Sequence, residues 1–207
     1  MDTRLWNAVD EKIRNSDTDA AIALLERLIS LERRDRFTSL VSSQFSNPPE
    51  QILASINEFI GRCESDFRIR TVYIEMNGFD INYDRWFYDL FGYDKYDSDP
   101  DDLDWLSEWQ SDGESAITLT GLEAAQADFA WYCEEKSEDD SSYHRIHELA
   151  NLLVMTKFVS LIRSALASGP LAKAVPVIAT AHDFDIAGRF VPGGSGILGR
   201  IRSIFRR

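Results

Sequence analysis

The densest concentration of reactive groups in this 207-residue chain is Asp97-Ser98-Asp99-Pro100-Asp101-Asp102-Leu103-Asp104-Trp105-Leu106-Ser107-Glu108-Trp109. Asp97, Asp99, Asp101 and Glu108 fall at positions 1, 3, 5 and 12 of a calcium-loop frame. Carboxylates at that spacing can wrap one hard cation, with the final Glu binding through both oxygens. The frame is imperfect: its sixth position needs glycine and carries Asp102, its eighth is normally apolar and carries Asp104, and Pro100 stiffens the loop. The plainer reading is a solvated acidic loop leading into a short helix. The same stretch sets Trp105 and Trp109 among Asp97, Asp99, Asp101, Asp102, Asp104 and Glu108. Large aromatics ringed by carboxylates have the makings of a protein-binding anchor, since buried Trp supplies much of the energy of an interface. Packing of one side of the short helix on the core explains the tryptophans equally simply.

The histidines offer a second chemistry. His144 and His147 lie three apart at a helix start, on one face, and His182 precedes Asp183, with Asp185 two further on. If the chain brought the three imidazoles together, they would suit zinc or another transition metal, and a metal-dependent hydrolase would follow. No HExxH is present, and Cys63 and Cys133 lack paired metal-ligand spacing. Cap or surface histidines, plus one hydrogen-bonded histidine at a strand end, account for the same residues. No nucleophile elbow, P-loop or dinucleotide glycine fingerprint occurs. The acids are numerous enough to form many carboxylate pairs, and none stands out as an acid–base couple.

Charge organises the chain. There are 22 Lys plus Arg against 35 Asp plus Glu, a net charge of −13. Counted by region, residues 1–63 carry −2, residues 64–148 carry −17 and residues 149–207 carry +6. Such a balance argues against nucleic-acid binding, which needs cations facing phosphate. It points instead to a basic partner for the middle region.

The elements that must position these groups are legible in part. Ser16 with Asp19 reads as a helix cap before Ile22, Leu25, Leu28 and Ile29. Asn47-Pro48-Pro49-Glu50 reads as a second helix start. Arg68–Met76 is β-branched and strand-like. Asn77-Gly78 signals a hairpin, and alternation at Phe79, Ile81 and Tyr83 predicts its returning strand, continuing extended from Trp86 to Tyr93. Ala116–Leu119 reads as a further strand, and Thr120-Gly121-Leu122-Glu123 as a capping box opening a helix to about Lys136. A long helix from about Ser142 to Ser168 is apolar on most sides, as a core helix is. Val175–Ala181 reads as a strand. The expectation is an α+β fold: N-terminal helices, a small mainly antiparallel sheet and a long buried C-terminal helix.

Residues 1–192 then form a single domain, with a helical part (1–63), an acidic hairpin-and-helix part (64–148) and a central helix and strand (149–192). Gly193-Gly194-Ser195-Gly196 links it to a basic amphipathic segment, 193–207, with Ile197, Leu198, Ile201, Ile204 and Phe205 at helical spacing and Arg200, Arg202, Arg206 and Arg207 mostly elsewhere. That segment suits an anionic membrane or partner surface, or the chain's own acidic middle. The start Met1-Asp2-Thr3-Arg4-Leu5-Trp6, soon followed by Asp10 and Glu11, lacks the pattern of a signal peptide. Leu149–Leu166 is broken by Asn151, Lys157 and Arg163 and reads as a buried helix, with no transmembrane segment expected. Two widely spaced cysteines fit a reducing, cytoplasmic setting.

The stretches Tyr73–Asn82, Arg85–Leu90, Asp104–Trp109 and Leu119–Glu123 together resemble small uncharacterised bacterial proteins; the resemblance covers about 50 residues of the middle region and implies no activity. In general character the chain is similar to bacterial immunity proteins that neutralise toxins, which are small, acidic, cytosolic and without catalytic residues. The resulting expectation is a non-catalytic acidic binding or inhibitor protein with a basic partner, such as a toxin, and no required cofactor. The alternatives are a metal-dependent hydrolase using the histidines, or a calcium-binding module at 97–108.

Overall fold

A computed structural model describes residues 3–77, 82–99, 102, 104–115, 117–135, 143–185 and 188–192. Five helices run along the chain: α1 (Thr3–Arg14), α2 (Thr18–Glu32), α3 (Pro49–Asp66), α4 (Glu123–Glu135) and α5 (His144–Ser168). Five strands, β1 (Thr71–Asn77), β2 (Phe87–Tyr93), β3 (Ser111–Glu114), β4 (Val177–Ala181) and β5 (Gly188–Phe190), form one sheet in the order β3-β2-β1-β4-β5. Pairing is antiparallel except between the central neighbours β1 and β4, which run parallel. The architecture is α+β, as the sequence predicts, with a long buried C-terminal helix.

Alternation gives the sheet two distinct faces. Val72, Ile74, Met76, Tyr88, Leu90, Val177, Ala179 and Ala181 turn inward and join the main core. There α5 supplies Leu152, Leu153, Met155, Phe158 and Ile162, and α3 supplies Ile52, Ile56, Phe59 and Ile60. Phe158 packs on Tyr88 with ring centres 6.0 Å apart. A Cβ at Gly188 would come within 2.5 Å of Val159 Cγ1, so β5 and α5 approach as closely as they do only because glycine stands there. Helix α5 is long and apolar enough to cross a bilayer, but 78% of its most apolar stretch is buried inside the protein, as in the core helix of a folded domain.

One buried charge ties the helices together. Lys157, only 2% exposed on α5, donates to Glu26 Oε1 (2.8 Å), to the Leu40 carbonyl (2.7 Å) and to the Ser43 carbonyl. Three acceptors match the three protons of an ammonium. Burial pulls the Lys157 pKa below its ordinary value, and Glu26 opposes the shift by favouring the charged form.

Several local expectations shift. The α2 cap is Asp17, whose carboxylate accepts from Ala20 N at 3.2 Å, while Ser16 sits at φ 60°. Asn47 does not cap α3. Its side chain reaches across the chain instead, donating to the Thr118 carbonyl (2.9 Å) and accepting from Thr120 N (2.9 Å). The strand expected at 116–119 lies at Ser111–Glu114, a segment of low β-propensity held by backbone pairing to β2. Residues 82–84 turn rather than extend, with Arg85 N bonded to the Asn82 carbonyl at 3.2 Å. Phe79, Ile81, Gly78 and the segment 193–207 lie outside the described residues.

Candidate functional site

The outward sheet face carries Tyr73, Glu75 and Asn77 from β1, Phe87, Asp89, Phe91 and Tyr93 from β2, and Ile178 and Thr180 from β4, as the strand register requires. Among the described residues, none of the five helices covers this face. One end is roofed by the acidic segment 94–110. Trp105, 7% exposed, meets Tyr93 edge-on at 5.0 Å and closes a small second core with Tyr73 and Ile178. Tyr93 Oη donates to the Leu106 carbonyl (2.7 Å), Thr71 Oγ1 to the Lys95 carbonyl (2.7 Å) and Arg189 Nη1 to the Asp97 carbonyl (3.2 Å). The acidic segment is thus pinned to β1, β2 and β5.

This geometry divides the residues singled out from sequence. Trp105 is a core residue, so its place on a partner surface is corrected: its indole faces the sheet and its Nε1 donates to the Asp102 carbonyl at 3.2 Å. Trp109 is 46% exposed and rests edge-on against Phe91 at 5.2 Å. Asp94, Asp97, Asp102, Asp104 and Asp112 are exposed, and among the described residues no lysine, arginine or histidine lies within ion-pair distance of them. Asp99 is exposed as well, and Asp101 lies outside the described residues.

In the calcium frame, Asp97 Oδ1 accepts the Asp99 backbone N–H (2.8 Å), Asp102 Oδ1 accepts that of Asp104 (3.0 Å), and Glu108 pairs with Lys95. That pairing holds the Glu108 carboxyl below its usual range. Chelation through these groups would require Glu108 to leave Lys95 and Asp97 to release its turn.

Three other acids of the middle region serve the fold. Asp128 accepts from Phe37 N (2.7 Å) and pairs with Arg36 (3.3 Å). Glu64 pairs with Lys173 (2.5 Å), and Glu123 accepts from Gly121 N (2.8 Å). Uncompensated carboxylates thus line the 94–112 segment, and among the described residues exposed Glu11, Glu50, Glu58, Asp66, Asp84 and Asp185 elsewhere likewise have no cation at ion-pair distance.

The histidines take three different settings. His144 pairs with Glu148 at 3.4 Å on the surface of α5. His147 is buried and stacked on Tyr132 at 3.9 Å, with Phe37 and Phe129 edge-on. His182 follows β4, and its Nδ1 lies 2.7 Å from Glu75 Oε1 on β1. Among the described residues no group of three or more His, Cys, Asp or Glu is arranged to hold a metal ion.

The His182 environment contains partners that sequence reasoning missed. Tyr73 Oη donates to Glu75 Oε2 (2.7 Å), and Asn77 Nδ2 donates to Asp89 Oδ2 beside it. Asp183 stands at φ 62° in the turn that presents His182, closed by Phe184 N on the Ala181 carbonyl (3.2 Å). The hydrogen bond to Glu75 raises the His182 pKa; burial opposes this, and the charges of Glu75, Asp183 and Asp89 add to it. Burial and the neighbouring Glu75 push the Tyr73 hydroxyl up, so it stays protonated as a donor. The available signal was Glu75, a carboxylate in an otherwise apolar strand. Its partner could not be named because β1 and β4 are joined only through the fold.

Comparison with protein-family models, with curated proteins and with solved structures finds no match to this chain.

Proposed function

We propose that the chain is a non-catalytic acidic binding protein whose partner is a basic protein. A bacterial immunity protein that neutralises a basic toxin is the concrete form. One observation carries the reading: Asp94, Asp97, Asp102, Asp104 and Asp112 are exposed without a cation at ion-pair distance, on a segment that also presents Trp109. Unpaired carboxylates on one segment create a field that speeds encounter with a cationic surface and selects against acidic ones. Trp109, with Phe91 beneath it, supplies the apolar anchor that charge alone lacks. Pinning by Trp105, Tyr93 and Arg189 lowers the ordering cost of association, because the segment is held before the partner arrives. The binding role asks for no cofactor, and the acidity makes nucleic acid an unsuitable partner. A cytoplasmic setting agrees with two free cysteines, one of them exposed.

The test is capture from the source cell, with the product of the adjacent gene expressed alongside, followed by titration calorimetry with the purified captured protein. The expected result is a basic protein bound by the native chain. Its binding should weaken steeply with salt and be lost when Asp94, Asp97, Asp102, Asp104 and Asp112 are changed to Asn. Undiminished binding by that variant would remove the proposal's basis.

A further inference from the structure

We propose that the basic partner binds by adding an extended strand to the outer edge of β3, with its cations on the outward side chains and uncharged residues on the inward ones. The inference rests on the reading of the chain as a binding protein for a basic partner, and it names how that partner is held.

The backbone supplies the site. Sheet order leaves β3 at one edge, paired with β2 alone. Ser115 N donates to the Tyr88 carbonyl at 2.9 Å. Peptide groups of an antiparallel strand alternate in direction, so the N–H and C=O of Gly113 also face β2, and those of Asp112 and Glu114 point away from it. Among the described residues nothing hydrogen-bonds to these outward groups. Such an edge is a template for another strand. The chain uses a comparable device a few residues on. Leu119 N donates to the Trp86 carbonyl (2.7 Å), while on the side away from β2 Ser46 N donates to the Thr120 carbonyl (2.8 Å) and the Asn47 side chain bonds Thr118 and Thr120. A neighbouring segment thus lies along 118–120, and among the described residues 111–114 is the stretch of that line left uncovered.

Side chains choose the occupant. Asp112 lies opposite Phe91 and shares the outward face with Trp109, which rests on Phe91 and is 46% exposed. Asp112 is exposed, with no cation at ion-pair distance among the described residues. A lysine or arginine facing outward on the added strand meets both the carboxylate and the indole. The inward face differs. A Cβ at Gly113 would lie 3.1 Å from Arg62 Nη2 and 3.6 Å from the Phe59 ring. The Arg62 guanidinium there repels a second cation, so the inward residues of the added strand are uncharged. A second copy of this chain fits poorly, because β3 paired with itself brings like carboxylates, Asp112 among them, onto one face. Backbone bonds then supply affinity, and the alternation of basic with uncharged residues supplies specificity.

The test titrates the full chain with an acetylated peptide of alternating arginine and valine and follows amide hydrogen exchange. The expected result is slowed exchange at Asp112 and Glu114, whose amides face outward, with binding that weakens as salt is added. Asp112→Pro removes one of those amides without breaking a bond of the sheet, so the fold should persist. Peptide binding should then weaken at least about tenfold, the size of a lost backbone hydrogen bond and the pairing beside it. Asp112→Asn keeps the amide and should weaken binding by less than about threefold. Exchange in the native chain carries the test if the proline variant fails to fold. Slowed exchange elsewhere, equal binding by the proline and asparagine variants, or no binding of the peptide overturns strand addition and leaves the partner reading to its own capture test. So does protection of Asp112 and Glu114 that rises with protein concentration in the absence of peptide, which would assign the edge to a second copy. Equal protection by a peptide of alternating glutamate and valine sinks the basic-partner reading, and the choice of occupant with it.

Discussion

Lys157→Met is the sharpest probe of the fold. Lys157 and Met have similar length, so the apolar stem is kept and the ammonium alone is lost. Three consequences follow. The Leu40 and Ser43 carbonyls lose their donor, and Glu26 loses its cation while keeping the Ser42 N–H at 2.9 Å. Removing one member of a buried ion pair costs about 3–5 kcal/mol, because the other charge is left behind. The Glu26 side chain is 20% exposed and retains that one donor, so the lower end, about 3 kcal/mol, is expected. For a chain of this size that lowers Tm by about 6–12 °C. Urea unfolding followed by tryptophan fluorescence should show the midpoint fall with an unchanged slope. The paired variant E26L/K157M leaves no orphaned charge and should recover at least about 1 kcal/mol of the loss. A cost under about 0.5 kcal/mol for Lys157→Met, or a double variant as unstable as the sum of the two single ones, would refute the account of Lys157 as a three-acceptor clamp.

Other outcomes follow from the same structure. Gly121→Ala should destabilise by about 2–3 kcal/mol, because φ is 101° and a Cβ would lie 2.4 Å from the Gln44 carbonyl oxygen; thermal unfolding measures it. Trp105→Ala should cost about 3–5 kcal/mol in chemical denaturation, since it empties the small core on the outer face. Trp109→Ala should stay within about 1 kcal/mol of the native chain yet weaken partner binding at least about tenfold in calorimetry. His182→Asn should show a pH-dependent penalty. A histidine whose folded pKa is raised contributes stability that is fully present below its unfolded pKa, near 6.5, and is lost as pH rises through the folded value. The pair is half-exposed, so the penalty is about 0.5 kcal/mol at pH 5.5 and smaller at pH 9; a penalty that grows with pH would contradict the Glu75 contact.

Hydrophobic period made the helices and the central strands readable. Ile52, Leu53, Ile56, Phe59 and Ile60 mark the buried face of α3, and the apolar run of α5 marks the helix around which the core closes. Strands β3 and β5 were not readable in this way. Ser111-Asp112-Gly113-Glu114 has no alternating apolar face, and its place is set by the β2 backbone it borrows. The Asn47 clamp on Thr118 and Thr120 escaped because a cap residue before two prolines looks local, while its bonds cross more than 70 positions. The acidic segment was legible as charge but not as geometry. Nothing in the spacing of Trp105 and Trp109 tells which indole meets the sheet, whereas burial of Tyr73, Tyr93 and Ile178 decides it.

The parallel pairing of β1 with β4 has a consequence for how the protein is made. Glu75 sits opposite Thr180, more than a hundred residues away. While the ribosome is still synthesising α4 and α5, the hairpin of β1 and β2 has one unsatisfied flank, a row of amide and carbonyl groups open to any neighbouring strand. Closing that flank demands a long chain loop and is slow for the same reason. Newly made chains are therefore most exposed to misassociation before Val177–Ala181 arrives, and the acids crowded into the middle region keep such half-made molecules apart through mutual repulsion.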